Sequence, residues 1–355
     1  MSYIASVKKF VEGLSFEEIK TNSEKEPYSF KVSEFGDLYM ITFTEKSDLT
    51  LDIVRAMNGV IFEKETNKLV HYSFQKTYEG VSVSKDSYTE TVPENCEIEI
   101  STEGTHIKLY HHNGEWKIGT SRSIDGSLSH WNNKKSFKEL FVECLDAEKI
   151  LLSYLDPELC YSFVMQHPEN KICNEISVKY CSMLNSVNTK TNEVIRHTKG
   201  FLVEKNIDEI LKRIDDDSCT ENYIVYLQDG KRIKLLNKNF KEKQDIIKND
   251  PNMKRVYLRC MKEGTTEILR KHYPYNKELF NSIEYRFYDT AKEIHKDYMD
   301  IFIRKQQNDG NPRYEKSLKQ LHWRYRQTRE KITLDKVHEM MYDLSVKILM
   351  YILEM

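Results

Sequence analysis

The spacing of apolar positions changes twice along the chain, and those changes divide it into three stretches. Ile4, Val7, Phe10 and Val11 recur at helical spacing and predict a short amphipathic helix. Ser15-Phe16-Glu17-Glu18 then has the form of a capping box that opens a second helix. From about residue 28 the pattern becomes alternating, and YSFKV, LYMITFT, GVIFEKE and KLVHYSF each read as strands. The polar turn KETNK around Asn67 makes the last two a hairpin. CEIEIST, HIKLYHH and EWKIGTS continue the strands, with Asn113-Gly114 as a tight turn. Residues 136–153 predict a helix. YSFVMQ, ISVKYCSML, YIVYLQ and RIKLLN predict further strands, with Asp229-Gly230 turning the last pair.

From about residue 252 the period is again that of helices. Leu279, Phe280, Ile283, Phe287, Ala291, Ile294, Tyr298 and Phe302 form one apolar stripe, which Gly310-Asn311-Pro312 ends. Tyr314, Leu318, Leu321 and Tyr325 mark a second helix. Thr333 caps a third, with Val337, Met340, Leu344, Ile348 and Tyr351 facing inward. The expected architecture is α+β with antiparallel sheets over residues 1–248, followed by a helical domain over 249–355. The boundary is expected near Asn249-Asp250-Pro251.

Composition narrows the class. A length of 355 residues suits two domains and a core that needs no staples. The net charge of −2 leaves any nucleic-acid contact to a local basic patch. With 31% charged residues and a mean hydropathy of −0.65, no run approaches the roughly 18 apolar residues of a membrane helix. The first twenty residues carry acids and no long apolar stretch, unlike a signal peptide. Seven scattered cysteines with no CxxC pair read as free thiols in a reducing, cytoplasmic setting. His106, His111 and His112 fit no zinc spacing and read as an exposed strand face. His167-Pro168 reads as a strand-end turn.

Candidate chemistry lies in four segments. R-A-M-N-G-V-I-F-E at 55–63 leads to Y-S-F-Q-K at 72–76. S-T-E-G-T at 101–105 leads to W-K-I-G-T-S-R at 116–122. F-V-M-Q-H-P-E-N occupies 163–170. E-N-Y-I-V at 221–225 is followed across a turn by R-I-K at 232–234. In this order and spacing, over roughly residues 30–240, the chain resembles the phage-type (bacteriophage T-even) ATP-dependent RNA ligase family and ligase-like proteins of large DNA viruses. That resemblance implies a nucleotidyltransferase (ATP-grasp-like ligase) fold, with ATP and Mg²⁺ as cofactors and RNA ends as substrate. It implies phosphate or nucleotide contacts for Arg55, Lys76, Gly104, Arg232 and Lys234. It implies metal or ribose roles for Glu103 and Glu221, with Glu221 as the metal ligand. These residue types suit the reaction, because phosphoryl transfer depends on positioning and charge neutralisation.

The chain departs from the family pattern at three points. The nucleophile position holds Ser101 rather than lysine, Val164 stands where the family has glutamate, and Asn222 replaces the glycine after Glu221. A serine hydroxyl needs an adjacent base to act as a nucleophile. Lys85 and Lys108 are the nearest alternative amines. Three readings follow: an active ligase or adenylyltransferase, a pseudo-ligase that binds nucleotide or RNA, and a virus assembly module that kept only the scaffold. Residues 313–331, with Lys316, Lys319, Arg324, Arg326, Arg329, Trp323 and Tyr325, are either an RNA-contacting face or a solvated helix with its aromatics in the core.

Overall fold

The computed structural model describes residues 3–79, 96–131, 135–197, 207–216, 218–306 and 310–355. Lys85 therefore lies outside the described residues. Internal contacts divide the chain into two units, Met1–Lys241 and Glu242–Met355.

The first unit opens with α1 (Tyr3–Val11) and α2 (Phe16–Glu24), and Ser15 and Glu18 form the expected reciprocal capping box. A four-stranded sheet follows in the order β1 (Lys31–Phe35), β2 (Leu38–Thr42), β3 (Asn58–Glu63), β4 (Leu69–His71). A short helix that periodicity did not show, α3 (Asp52–Ala56), interrupts it between β2 and β3. Five residues cannot complete two helical turns, so they leave no stripe to read.

A five-stranded sheet runs in the order β11-β10-β9-β7-β8, from β7 (Thr105–His112), β8 (Glu115–Thr120), β9 (Leu159–Gln166), β10 (Tyr180–Asn188) and β11 (Glu193–Arg196). Asn113 and Gly114 both take positive φ in the β7–β8 turn, as the Asn-Gly pair predicts. Helix α4 (Phe137–Ala147), also capped by a box at Ser136 and Glu139, covers one face of this sheet. Leu140, Phe141 and Cys144 of the helix pack there on Ile107, Leu109, Phe163 and Met165.

The third sheet has the order β5-β13-β12-β6, from β5 (Tyr78–Glu79), β6 (Glu97–Ser101), β12 (Asn222–Tyr226) and β13 (Arg232–Leu235). Helix α5 (Ile207–Ile214) packs on one face. Pairing is antiparallel throughout, except that β5 runs parallel to β13. The first unit is therefore α+β with antiparallel sheets, as the alternation predicts. It closes as α6 (Lys238–Ile247) begins.

The second unit is helical: α7 (Met253–Glu263), α8 (Thr266–His272), α9 (Lys277–Tyr298), α10 (Glu315–Thr328), α11 (Leu334–Asp343) and α12 (Val346–Ile352). The α9 stripe is its core, with Phe280, Ile283, Phe287, Ala291, Ile294 and Tyr298 buried and Leu279 and Phe302 packed at its edge. One expectation fails. The third helix of this region is two helices, because Ser345 leaves helical geometry and caps α12, accepting a hydrogen bond from the Ile348 amide. The break resets the helical phase, so Ile348 and Tyr351 turn outward instead of inward. Among the described residues no helix is long and apolar enough to cross a membrane.

Candidate functional site

Strand register divides the third sheet into two unlike faces. Residues pair across it as Ser101 with Asn222, Glu99 with Ile224 and Glu97 with Tyr226, then Ile224 with Lys234 and Tyr226 with Arg232. Since successive side chains alternate, Glu97, Glu99, Ser101, Asn222, Tyr226, Arg232 and Lys234 share one face with Ile224. The opposite face carries Ile98, Tyr223, Val225, Ile233 and Leu235 and packs on Ile210 and Ile214 of α5. Ser101, Arg232 and Lys234, far apart in the sequence, thus meet on one polar surface.

Segment 72–79 runs along the β13 edge of this sheet, with Tyr78 beside Ile233 on the apolar face. Residues Tyr78 and Glu79 pair with Ile233 and Lys234. The Lys76 amide donates to the Arg55 carbonyl at 2.9 Å, which ties the strand to α3. The Arg55 guanidinium lies 3.6 Å from the centre of the Tyr78 ring and donates to the Thr77 carbonyl at 3.1 Å. Arg232 is buried, 4.2 Å from the Phe74 ring centre, and donates to the Gln75 carbonyl at 2.5 Å. The Lys234 amine lies 5.7 Å from the Phe240 ring centre.

The two carboxylates assigned by resemblance are held elsewhere. Glu221 accepts from the Tyr223 hydroxyl at 2.6 Å and pairs with Arg213 of α5 at 2.8 Å, which draws it toward the apolar face. Glu103 accepts from the Cys173 amide at 2.6 Å, the Asn174 amide at 3.3 Å and the Asn174 side chain at 2.6 Å, anchoring that loop. Gly104 has a packing reason: a Cβ there would lie 2.4 Å from the Met165 carbonyl and 2.6 Å from Val164. Asn222 likewise has a local role, accepting from the Asn237 amide at 2.9 Å and from its side chain at 3.1 Å.

The five-stranded sheet turns a second polar surface inward. On the side away from α4, Lys108, Ser162, Asn185 and Arg196 form one register row across β7, β9, β10 and β11. Arg196 pairs with Glu97 and stacks 4.2 Å from the Tyr226 ring centre, so this row meets the polar face of the third sheet. His106 lies one row along and bonds Ser73 at 3.0 Å, and Ser162 donates to Ser73 at 3.1 Å. Burial, then Lys108 and Arg232, push the His106 imidazole down to about 3, so it is neutral. None of the three histidines read as an exposed strand face is exposed. His112 instead pairs with Asp37 at 2.8 Å. His167 does sit in the expected turn, bridged to Asn170 and 3.2 Å from Glu143.

Lys108 is fully buried. Its amine donates to the Gly59 carbonyl and contacts the Met40 sulfur at 3.4 Å. Burial, with Arg122 adding to it, lowers its pKa to about 7. Asn185 is also fully buried, and neither its amide nitrogen nor its oxygen has a hydrogen-bond partner. Neither residue could be placed from the sequence, since the two rows come from strands up to ninety positions apart.

The donor set does not fit a protein-held divalent ion in this cleft. Glu221 and Glu103 are committed as described and Glu97 is paired with Arg196, which leaves Glu99, bonded by Tyr226 and with one unpartnered oxygen, as a single carboxylate where a protein-held ion needs several. Among the described residues, the three side chains whose ligand atoms converge within 4.8 Å are Asp37, Glu63 and His112, on other strands. All seven cysteines are free thiols. In the second unit, α10 separates its aromatics: Tyr325 packs on the core, whereas Trp323 is 65% exposed.

No protein-family model matches the chain. It is similar to the immediate-early protein ICP-46 homolog of Invertebrate iridescent virus 3, at 22% identity over 262 residues, covering 68% of this chain and 59% of that protein. The match thus spans less than two thirds of the viral protein's length. Among solved structures, an archaeal ATP-dependent RNA ligase has a TM-score of 0.44 at 10% identity, covering 89% of this chain and 77% of that one. A putative ATP-dependent DNA ligase from Aquifex aeolicus has a TM-score of 0.41 at 13% identity, covering 80% and 81%. An RNA ligase of Naegleria gruberi with PPi has a TM-score of 0.34 at 9% identity, covering 57% and 69%.

Proposed function

We propose that the first unit is a ligase-like nucleotidyltransferase module that binds ATP reversibly and engages an RNA end, without forming a covalent nucleotide bond through Ser101. The observation that carries this reading is the shared polar face of β6, β12 and β13, where Ser101, Arg232 and Lys234 converge. The two cations of this mixed face suit phosphate groups, since charge-assisted bonds are the strongest polar contacts available. The covalent step lacks its chemistry. Serine is a weak nucleophile without a base; of the carboxylates on its face, Glu97 is paired with Arg196, and Glu99 accepts from Tyr226 while its second oxygen is buried without a partner. Magnesium enters this reading with the nucleotide, because the carboxylates nominated for it are turned away or paired.

For RNA, the exposed stripe of α10 is the proposed contact. Lys316, Lys319, Trp323 and Arg326 recur at three- and four-residue spacing and are all exposed, so a base can stack on Trp323 beside phosphate-binding cations. The free thiols suit a reducing compartment.

The test is incubation with labelled ATP and Mg²⁺, followed by denaturation, beside equilibrium ATP binding. The native protein is expected to retain no label yet to bind ATP, and Lys234→Ala is expected to weaken that binding about tenfold. Ser101→Lys is expected to create retained label. Label on the native protein would establish the active-ligase reading, with mapping to name the amine. Absence of ATP binding would leave the scaffold reading.

A further inference from the structure

A buried carboxamide with no partner is rare, because leaving both its donor and acceptor unsatisfied costs more than a typical hydrogen bond contributes. Asn185 is in that position: it is fully buried, and both polar atoms of its side chain are without partners. Its neighbours in the register row are satisfied. Lys108 donates to the Gly59 carbonyl, Ser162 to Ser73, and Arg196 to Glu97. The unmet demand is thus confined to one side chain of the row, next to the Arg196 end that borders the groove.

The backbone shows how Asn185 came to point there. Cys181 and Met183 of β10 pair with Met165 and Phe163 and pack on the α4 side of the sheet. Simple alternation would place residue 185 on that apolar side as well. The pairing instead slips between Met183 and Asn185, so that Leu184 is left over and Asn185 pairs with Ser162. One extra residue reverses the facing of everything after it. Bulges are used in this way next to functional sites to re-aim a side chain. Here the slip takes an asparagine out of a hydrophobic core and turns it into the polar row. A groove of about 520 Å³, bounded by Phe74, Glu97, Arg196, Tyr226 and Arg232, opens at Arg196, the cross-strand neighbour of Asn185.

We infer that Asn185 reads the base of the bound nucleotide, donating from its amide nitrogen and accepting at its oxygen along the edge of an adenine ring. An asparagine carboxamide presents a donor and an acceptor side by side, the complement of the amino group and ring nitrogen of adenine. The Arg196–Tyr226 stack beside it supplies a flat wall. Guanine presents a carbonyl where adenine has its amino group, so it leaves the Asn185 oxygen facing an acceptor. This inference rests on the nucleotide-binding reading of the cleft and adds to it the residue that selects the base.

The test compares native protein, Asn185→Leu and Asn185→Asp for binding of ATP, GTP and inorganic tripolyphosphate by calorimetry, with thermal melts of each. Leu keeps the branching at Cγ and removes both polar atoms. The expected result is ATP binding weakened at least about fivefold in Asn185→Leu, with tripolyphosphate binding unchanged and the preference for ATP over GTP lost. The melting temperature of Asn185→Leu should hold or rise, since an unsatisfied amide is removed. Asn185→Asp, which cannot donate, should also lose the preference. Native protein that binds ATP and is matched by both variants would overturn the Asn185 assignment alone. A fall in melting temperature with unchanged ATP affinity would do the same, and would identify the side chain as the holder of a structural water. Native protein that binds neither ATP nor tripolyphosphate would overturn the cleft reading itself.

Discussion

The two faces of the five-stranded sheet are made from alternate residues of the same strands, yet they follow different rules. Toward α4 lie Ile107, Leu109, Phe163 and Met165, a face any hydrophobic core could use. On the other face lie His106, Lys108, Ser162 and Asn185, with Lys108 set on Gly59 and Met40 of the first sheet and Ser162 on Ser73. The first face contributes stability by removing apolar surface from water. The second contributes less on that account, since only Tyr110, Cys160 and Val187 of it join the first sheet's core, and each of its polar groups costs free energy unless matched. On the proposed reading the second face serves a ligand, and the contrast can be tested one residue at a time.

The largest effect should come from the apolar face. Phe163→Ala is expected to cost about 3–5 kcal/mol in denaturant unfolding, the range for a buried aromatic that leaves a cavity. Next comes the pH dependence conferred by Lys108. Its folded pKa is about 7 against the ordinary value of 10.5, so between those values the unfolded chain holds more protons than the folded one. Stability must then rise with pH across that window and level off below it. The native protein should gain about 2–3 kcal/mol relative to Lys108→Met between pH 7 and pH 9. A parallel pair of stability curves would show the amine to be solvated in solution. Gly104→Ala should cost about 1–3 kcal/mol, since its Cβ would press on the Met165 carbonyl between β7 and β9. The smallest effect belongs to the polar face itself. Ser162→Ala, beside Phe163 in sequence, should change stability by less than about 1 kcal/mol. If it costs as much as Phe163→Ala, the two faces are energetically one core and the contrast fails.

Much of the architecture was legible because it is local. The Asn113-Gly114 turn, the capping boxes at Ser15 and the α9 stripe each depend on residues within a few positions of one another. The convergence of Ser101, Arg232 and Lys234 was foreseeable from motif order, since strand alternation preserves facing along short runs. Glu103 and Glu221 show where such reasoning stops. Each carries the right charge in the right order, but Cys173, Asn174 and Arg213, brought in by the fold, decide where the carboxylates go. Asn185 and the α12 register were illegible for a related reason. A single slipped pairing or a single capping serine changes the phase of all that follows, and neither leaves a mark in composition.

Sequence alone thus determined which segments alternate and which are helical. Those properties follow from periodicity and side-chain chemistry, which act over short distances along the chain. Only the tertiary structure decided which polar groups were matched and which were left over, as with Lys108 on the Gly59 carbonyl and Asn185 on nothing. Hydrogen bonds inside a protein are settled between strands that meet only after folding, and their accounts close across the whole unit rather than within any one stretch of it.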